Sequence, residues 1–244
     1  MRSSPSAYSR LPTRWWVVLL ALAAGAALRF WFIYAYPEIL GDPLIYGSIA
    51  KNWMLHGVYG TTTSGDLLPT LIRLPGYPLF LVGCFSLFGM EHYHAVMYAQ
   101  VVIDLATCLL LAAFVDRIWN RKAAWWALWL AVLCPFTANY TAVPLTETLE
   151  VFSVALALYA LARFLQTPRW NWAILEALAW TYAALLRPDG PLIAVALCPA
   201  MVWYGRKRWG TARMMKFALA AALLSILPFI PWTIRNWRTF HVFQ

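Results

Sequence analysis

The sequence predicts an all-α polytopic membrane protein with about seven transmembrane helices and two surface helices in its first outer loop. Three observations carry this. Of the 244 residues, 62% are hydrophobic and 12% are charged, whereas an ordinary soluble domain has about 45–50% apolar and roughly 25% charged residues. Mean hydropathy is +0.62, and the apolar residues fall in runs long enough to cross roughly 30 Å of hydrocarbon at about 1.5 Å per residue. The basic residues divide unevenly between the connections that join those runs. The same figures exclude intrinsic disorder, a coiled coil and a small disulfide scaffold.

Residues 1–14 form a basic N-terminal tail before the first span, Trp15–Tyr36. A signal peptide shares the basic start and the small residues Ala24-Gly25-Ala26. Apolar character nevertheless resumes after Arg29 through Phe30–Tyr36, which predicts an uncleaved anchor. Residues 37–92 are the longest non-spanning segment. Asp42-Pro43 begins a short helix there, with Asp as N-cap and Pro at the first position, and His56-Gly57 ends it. Gly60–Pro69 reads as loop. Pro75 and Pro78 break and restart the chain before Tyr77–Phe88, whose length suits an interfacial helix.

Six further spans follow: Tyr93–Val115, Ala123–Tyr140, Thr148–Leu165, Trp172–Leu186, Pro191–Tyr204 and Phe217–Trp232. The fifth and sixth are short and are joined only by Arg187-Pro188-Asp189-Gly190. Residues 15–238 thus read as a single transmembrane module, with 239–244 as its C-terminal end. There is no internal repeat.

With the N-terminus in the cytoplasm, alternate threading leaves Arg29, Lys51, Arg73, Arg187, Arg235 and Arg238 on the outer side. The rest of the nineteen basic residues fall inside, which supports that orientation in the inner (plasma) membrane. The net charge of +9 then belongs to topology, and nucleic acid is not an expected partner. Cys84, Cys108, Cys134 and Cys198 are scattered without CxxC spacing and read as small buried hydrophobes.

Charges near the outer ends of the spans are the informative ones. Singly, each has a structural reading. Asp42 caps a helix; Glu147 and Glu150 favour the positive end of the fourth span; Arg29, Arg187 and Arg235 snorkel to headgroups. Jointly they describe chemistry. Arginines at membrane depth suit a phosphate whose lipid tail stays in the bilayer, and a carboxylate facing water suits a general base acting on a hydroxyl. Gln100 and Asp104, inside the second span, read as interhelical polar contacts. Glu91-His92-Tyr93-His94 matches no metal-ligand spacing.

Several short motifs fit that chemistry. Gly41-Asp42-x-x-x-Tyr46, then Ala50, Gly57 and Tyr59, then Arg73-Leu74-Pro75-Gly76-Tyr77-Pro78 and Phe88-Gly89, resemble the first outer loop of bacterial GT-C glycosyltransferases. The group in question is related to protein O-mannosyltransferases and the lipid A aminoarabinose transferase. Pro144-Leu145-Thr146-Glu147, Leu186-Arg187-Pro188-Asp189-Gly190 and Pro231-Trp232-Thr233-Ile234-Arg235-Asn236 fall where similar motifs occur in that family. The resemblance implies a GT-C module that moves a sugar from a polyprenyl-phosphate donor to a lipid, glycan or protein acceptor on the outer face, with inversion. It implies Asp42 as catalytic base and Arg187 and Arg235 as ligands of the donor phosphate. Glu147 lines the cavity, and Arg73, Arg29 and Tyr46 join the substrate-binding set. Leu40 and Leu44 flank Asp42 where lipid-linked-oligosaccharide enzymes pair acidic residues for a metal, so a metal-independent type without cofactor is expected. Such relatives usually continue with further helices beyond the point reached by 239–244. A transporter or lipid flippase, or a non-catalytic membrane subunit, is the competing class.

Overall fold

The computed structural model describes residues 15–243; the predicted tail 1–14 and Gln244 lie outside the described residues. Helix α1 (Trp15–Ala35) is followed by the two expected loop helices, α2 (Asp42–His56) and α3 (Gly76–Phe88), with strands β1 (Gly60–Thr63) and β2 (Asp66–Pro69) between them. The bundle continues through α4 (Tyr93–Ile118), α5 (Arg121–Val132), α6 (Pro135–Tyr140), α7 (Glu147–Gln166), α8 (Trp170–Leu186), α9 (Leu192–Trp209), α10 (Thr211–Ile226) and α11 (Phe229–Phe240). Helix α7 is its centre and packs on α4, α8 and α9, while α1 lies against α4, α5 and α6. The all-α polytopic class predicted from composition is the observed one.

Among the described residues, three helices, α1, α4 and α7, are long and apolar enough to cross a membrane singly, and α10 with α11 makes a fourth if that bent pair is one span. This is fewer than the seven spans expected, and proline accounts for much of the difference. The third predicted span, Ala123–Tyr140, is two helices, because Pro135 lacks an N–H and disfavours helical geometry in the residue before it. The seventh breaks at Leu227-Pro228, where the axis bends by 40°. Helix α9 runs on into Arg206-Lys207-Arg208, which dilutes its apolar character.

The first loop departs from expectation in two places. Gly60–Pro69 is an antiparallel hairpin with Gly60 opposite Pro69 and Thr63 opposite Asp66. Thr61-Thr62-Thr63 is a β-branched run, and Ser64 (φ 53°) and Gly65 (φ 92°) are both left-handed, as a two-residue hairpin turn matching strand twist requires. Helix α2 is capped by Gly41 without a side-chain hydrogen bond, so Asp42 is its first residue and not its N-cap. Gly57 closes α2 in the left-handed region, its N–H donating to the Trp53 carbonyl.

The loop helices pack inward. Tyr46 and Ala50 of α2 and Tyr77, Leu81 and Phe85 of α3 share one buried cluster with Val96 of α4, Leu149 of α7 and Leu186 of α8. Tyr77 Oη donates to Gln100 Oε1 at 2.7 Å, and Gln100 Nε2 donates to the Val143 carbonyl at 2.9 Å. Gly76 permits a close approach of α3 to α8, since a Cβ there would stand 2.6 Å from the Leu185 carbonyl oxygen. The platform carrying the candidate site is thereby fixed to the bundle.

Arg29 is part of this internal framework. It is wholly buried, and its Nε donates to Asp104 Oδ2 at 2.7 Å while Nη1 donates to the carbonyls of Gly25 and Val132 at 2.8 and 2.7 Å. Arg29 thus ties α1, α4 and α5 together and is held apart from the outer charges with which the sequence grouped it.

Candidate active site

The N-terminus of α2, the segment after β2, the start of α7 and the α8–α9 turn meet at one end of the bundle. Arg73 Nη2 donates to Asp42 Oδ1 at 2.5 Å, across 31 residues of sequence. The Asp42 side chain remains 53% exposed, so it is open to a molecule arriving from water. Being relieved of capping, it is also free of the structural role the sequence offered it. The Arg73 guanidinium lies 5.4 Å from the centroid of Tyr46, one turn along α2 from Asp42.

Arg187 organises a second group. Its Nη1 lies 3.4 Å from Glu147 Oε1, and its Nε lies 3.3 Å from Glu150 Oε2 and 3.1 Å from Asp189 Oδ1. Helix α7 begins at Glu147, which places both glutamates in its first turn, as predicted. The hydrogen bond to Asp189 raises the Arg187 guanidinium, and the same bond holds the Asp189 carboxyl below its ordinary 3.8. Three carboxylates around one arginine leave this group net negative.

Tyr46 joins the two groups. Burial raises its phenol, Arg73 opposes the rise most strongly, Asp42 and Glu147 add to it, and Arg187 opposes it weakly. One phenol therefore lies within the fields of Asp42, Arg73, Glu147 and Arg187. Of the residues singled out from sequence, the structure brings these five together.

Arg235 occupies an adjoining place. A cavity of about 670 Å³ opens between the first loop and α11, walled by Trp53, Tyr59, Leu79, Leu185, Pro231 and Trp232, with Arg235 in its lining. That volume falls within the roughly 300–1,000 Å³ typical of small-molecule sites. Arg235 donates to the carbonyls of Thr70 and Tyr59 at 2.9 and 2.6 Å and stacks over Tyr59 and Trp232 at 5.2 and 5.3 Å. It has no carboxylate partner among the described residues. Its charge is held in place by carbonyls and rings and remains uncompensated.

Tyr59 connects cavity and charges. Its ring packs edge-on to Trp53 and Trp232, and its hydroxyl donates to the Arg73 carbonyl at 3.0 Å. Burial raises its phenol, with Arg235 and Arg73 opposing. The sequence signals Tyr59 and Trp232 only as members of short motifs. The cavity they line is built by α2, α3, α8 and α11 jointly, and no local pattern encodes it. Glu176, wholly buried on α8 with neither carboxylate oxygen partnered among the described residues, stands apart from the site. The described residues contain no gathering of three or more His, Cys, Asp or Glu side chains able to hold a metal ion.

A family model described as dolichyl-phosphate-mannose-protein mannosyltransferase matches residues 73–232. Arg73, Glu147, Arg187 and Trp232 lie within that stretch; Asp42 and Tyr46 precede it and Arg235 follows it. No curated protein and no solved structure matches the chain.

Proposed function

The chain belongs to the dolichyl-phosphate-mannose-protein mannosyltransferase family, a family of membrane glycosyltransferases, and on that premise we propose that it moves a sugar from a polyprenyl-phosphate donor to an acceptor hydroxyl on the outer face of the inner membrane. The acceptor is a lipid, glycan or protein. The observation that carries this reading is the juxtaposition of a half-exposed carboxylate, Asp42, with an apolar cavity that holds an arginine, Arg235, without a carboxylate partner among the described residues.

Each part has a task. The apolar walls of Trp53, Leu79, Leu185 and Trp232 accept the first isoprenoid units of the donor, and Arg235 receives its phosphate, because an uncompensated guanidinium gains most from an anion. Arg187, already flanked by three carboxylates, supports the phosphate less strongly. Arg73 and Tyr46 hold the reacting end of the site. Asp42 takes the proton of the acceptor hydroxyl as its oxygen bonds to the anomeric carbon. The bond from that carbon to the donor phosphate breaks on the opposite face, its electron pair leaving with the phosphate, so configuration inverts. The intervening state is oxocarbenium-like, and the arginines stabilise the charge that grows on the leaving phosphate.

The test is Asp42→Asn in purified full-length protein, assayed with a panel of polyprenyl-phosphate sugars. A positioned general base contributes about 10²–10⁴-fold, so transfer should fall by at least the lower figure while helix content and detergent-extracted yield stay at wild-type levels. Wild-type turnover in the variant would remove Asp42 from the mechanism.

A further inference from the structure

The opposite end of the bundle carries a concentration of positive charge that the transfer reaction does not use. From Glu147 to Arg163, α7 covers roughly 24 Å at the helical rise, so this end lies most of a hydrocarbon thickness away from Arg187. Here Arg206, Lys207 and Arg208 close α9, Gly210 (φ 79°) turns the chain, and Arg213 and Lys216 lie in the first turns of α10. All five are exposed. Arg163 and Arg169 stand at the adjoining ends of α7 and α8. The sequence has no Asp or Glu between residues 151 and 175 and none after Asp189, so these cations face no acidic residue of their own helix ends. At the neighbouring α4–α5 turn, Asp116 is engaged by Arg121 at 3.4 Å.

The cations stand on an aromatic floor. Trp209 packs against Phe164, Trp170 and Phe217 with centroids 5.0–6.0 Å apart. Gly205 lets α9 approach α10 closely, since a Cβ there would overlap the Met214 sulfur. Over these and neighbouring rings lie Arg213 on Trp209 at 5.1 Å, Lys207 on Trp203 at 4.5 Å and Arg163 on Trp172 at 4.6 Å. Tryptophans at a bundle end sit at headgroup depth, and ring contacts keep the long basic side chains from folding back. A general excess of positive charge on one side needs none of this. Dense exposed cations, no carboxylate on their own helix ends and an ordered aromatic base are what a phosphate-bearing lipid surface complements.

We propose that the α9–α10 turn, with the adjoining ends of α7 and α8, is a binding surface for the headgroups of anionic phospholipids in the leaflet opposite the candidate active site. A Lys or Arg near an anionic surface contributes about fivefold to binding, so three neighbouring cations contribute on the order of 100-fold.

The experiment uses the full chain in neutral detergent, titrated with phosphatidylglycerol or with phosphatidylcholine of identical acyl chains, bound lipid being counted by native mass spectrometry. Wild type should prefer phosphatidylglycerol, and the preference should weaken as salt rises. The triple variant Arg206→Gln/Lys207→Gln/Arg208→Gln should lose roughly 100-fold for phosphatidylglycerol with phosphatidylcholine unchanged. Removing equal charge from the neighbouring turn, in Arg117→Gln/Arg121→Gln/Lys122→Gln, should reduce binding much less. Lys207→Gln alone, expected to lose about fivefold, keeps the test in force if the triple variant fails to fold. Equal binding of the two lipids, equal losses from both turns, or displacement of the lipid by inorganic phosphate at comparable concentration would each overturn the proposal.

Discussion

Replacing Asp104 with leucine leaves the Arg29 guanidinium charged, wholly buried and without its counter-ion. Arg29 makes two close approaches to Asp104 Oδ2, 2.7 Å from Nε and 2.5 Å from Nη2, and the carbonyls of Gly25 and Val132 cannot replace a negative charge. Removing one partner of a buried pair costs about 3–5 kcal/mol, which is two to four powers of ten in the folding equilibrium. The double variant Arg29→Leu/Asp104→Leu removes both charges, and exchanging a buried pair for apolar groups is often neutral. What it still loses is the donor to Val132, one of the last four carbonyls of α5, which have no partner within the helix; an unsatisfied acceptor costs about 1–3 kcal/mol. The expected order of stability is therefore wild type, then the double variant, then Asp104→Leu. Unfolding the purified protein in mixed micelles of rising denaturing-detergent content, followed by circular dichroism, measures that order. Since Arg29 lies apart from the outer charges, the folded double variant should also keep wild-type transfer. An Asp104→Leu loss under about 1 kcal/mol, or a double variant no more stable than the single, would refute the framework role. A stable but inactive double variant would return Arg29 to the substrate-binding set.

Two further outcomes follow from the site and its support. Arg235→Gln should lower kcat/KM roughly 10- to 150-fold, the loss of a hydrogen bond to a charged group being about 1.5–3 kcal/mol. Arg187→Gln should lower it less, because three carboxylates already engage that guanidinium; steady-state kinetics against the same donor decides the order, and a reversed order would exchange their roles. Gly76→Ala should destabilise by about 1–3 kcal/mol, the usual range for overpacking, because its Cβ meets the α8 backbone at Leu185. Thermal unfolding in detergent measures it, and an unchanged midpoint would mean that α3 is not held against α8.

Much of the fold was legible because its signals are local. A run of apolar residues predicts a long helix wherever it occurs, and α1, α4 and α7 follow the predicted spans within a few residues. Asp42-Pro43 and His56-Gly57 bracket α2 closely, although Gly41 took the capping position. Pro135 and Pro228 break helices that the apolar runs alone would continue, and the hairpin at Ser64-Gly65 is not legible in sequence because a four-residue strand has too few alternating positions to show a period.

What the sequence alone determined is the solvent this protein lives in, the side chains available for chemistry and the stretches that become helix, since hydropathy and backbone preference act over a few neighbouring residues. Only the tertiary structure decided which charges meet. Asp42 finds Arg73 across 31 residues, Arg29 finds Asp104 across 75, and Arg235 reaches Tyr59 across 176. Those pairings bind Arg29 into the buried framework, leave Asp42 as the first residue of α2 and not its cap, and leave Arg235 beside an apolar cavity with no carboxylate partner among the described residues. Charge partners are chosen by how helices distant in sequence pack, and in a low-dielectric interior that choice fixes which charges are spent on structure and which stay open to a ligand.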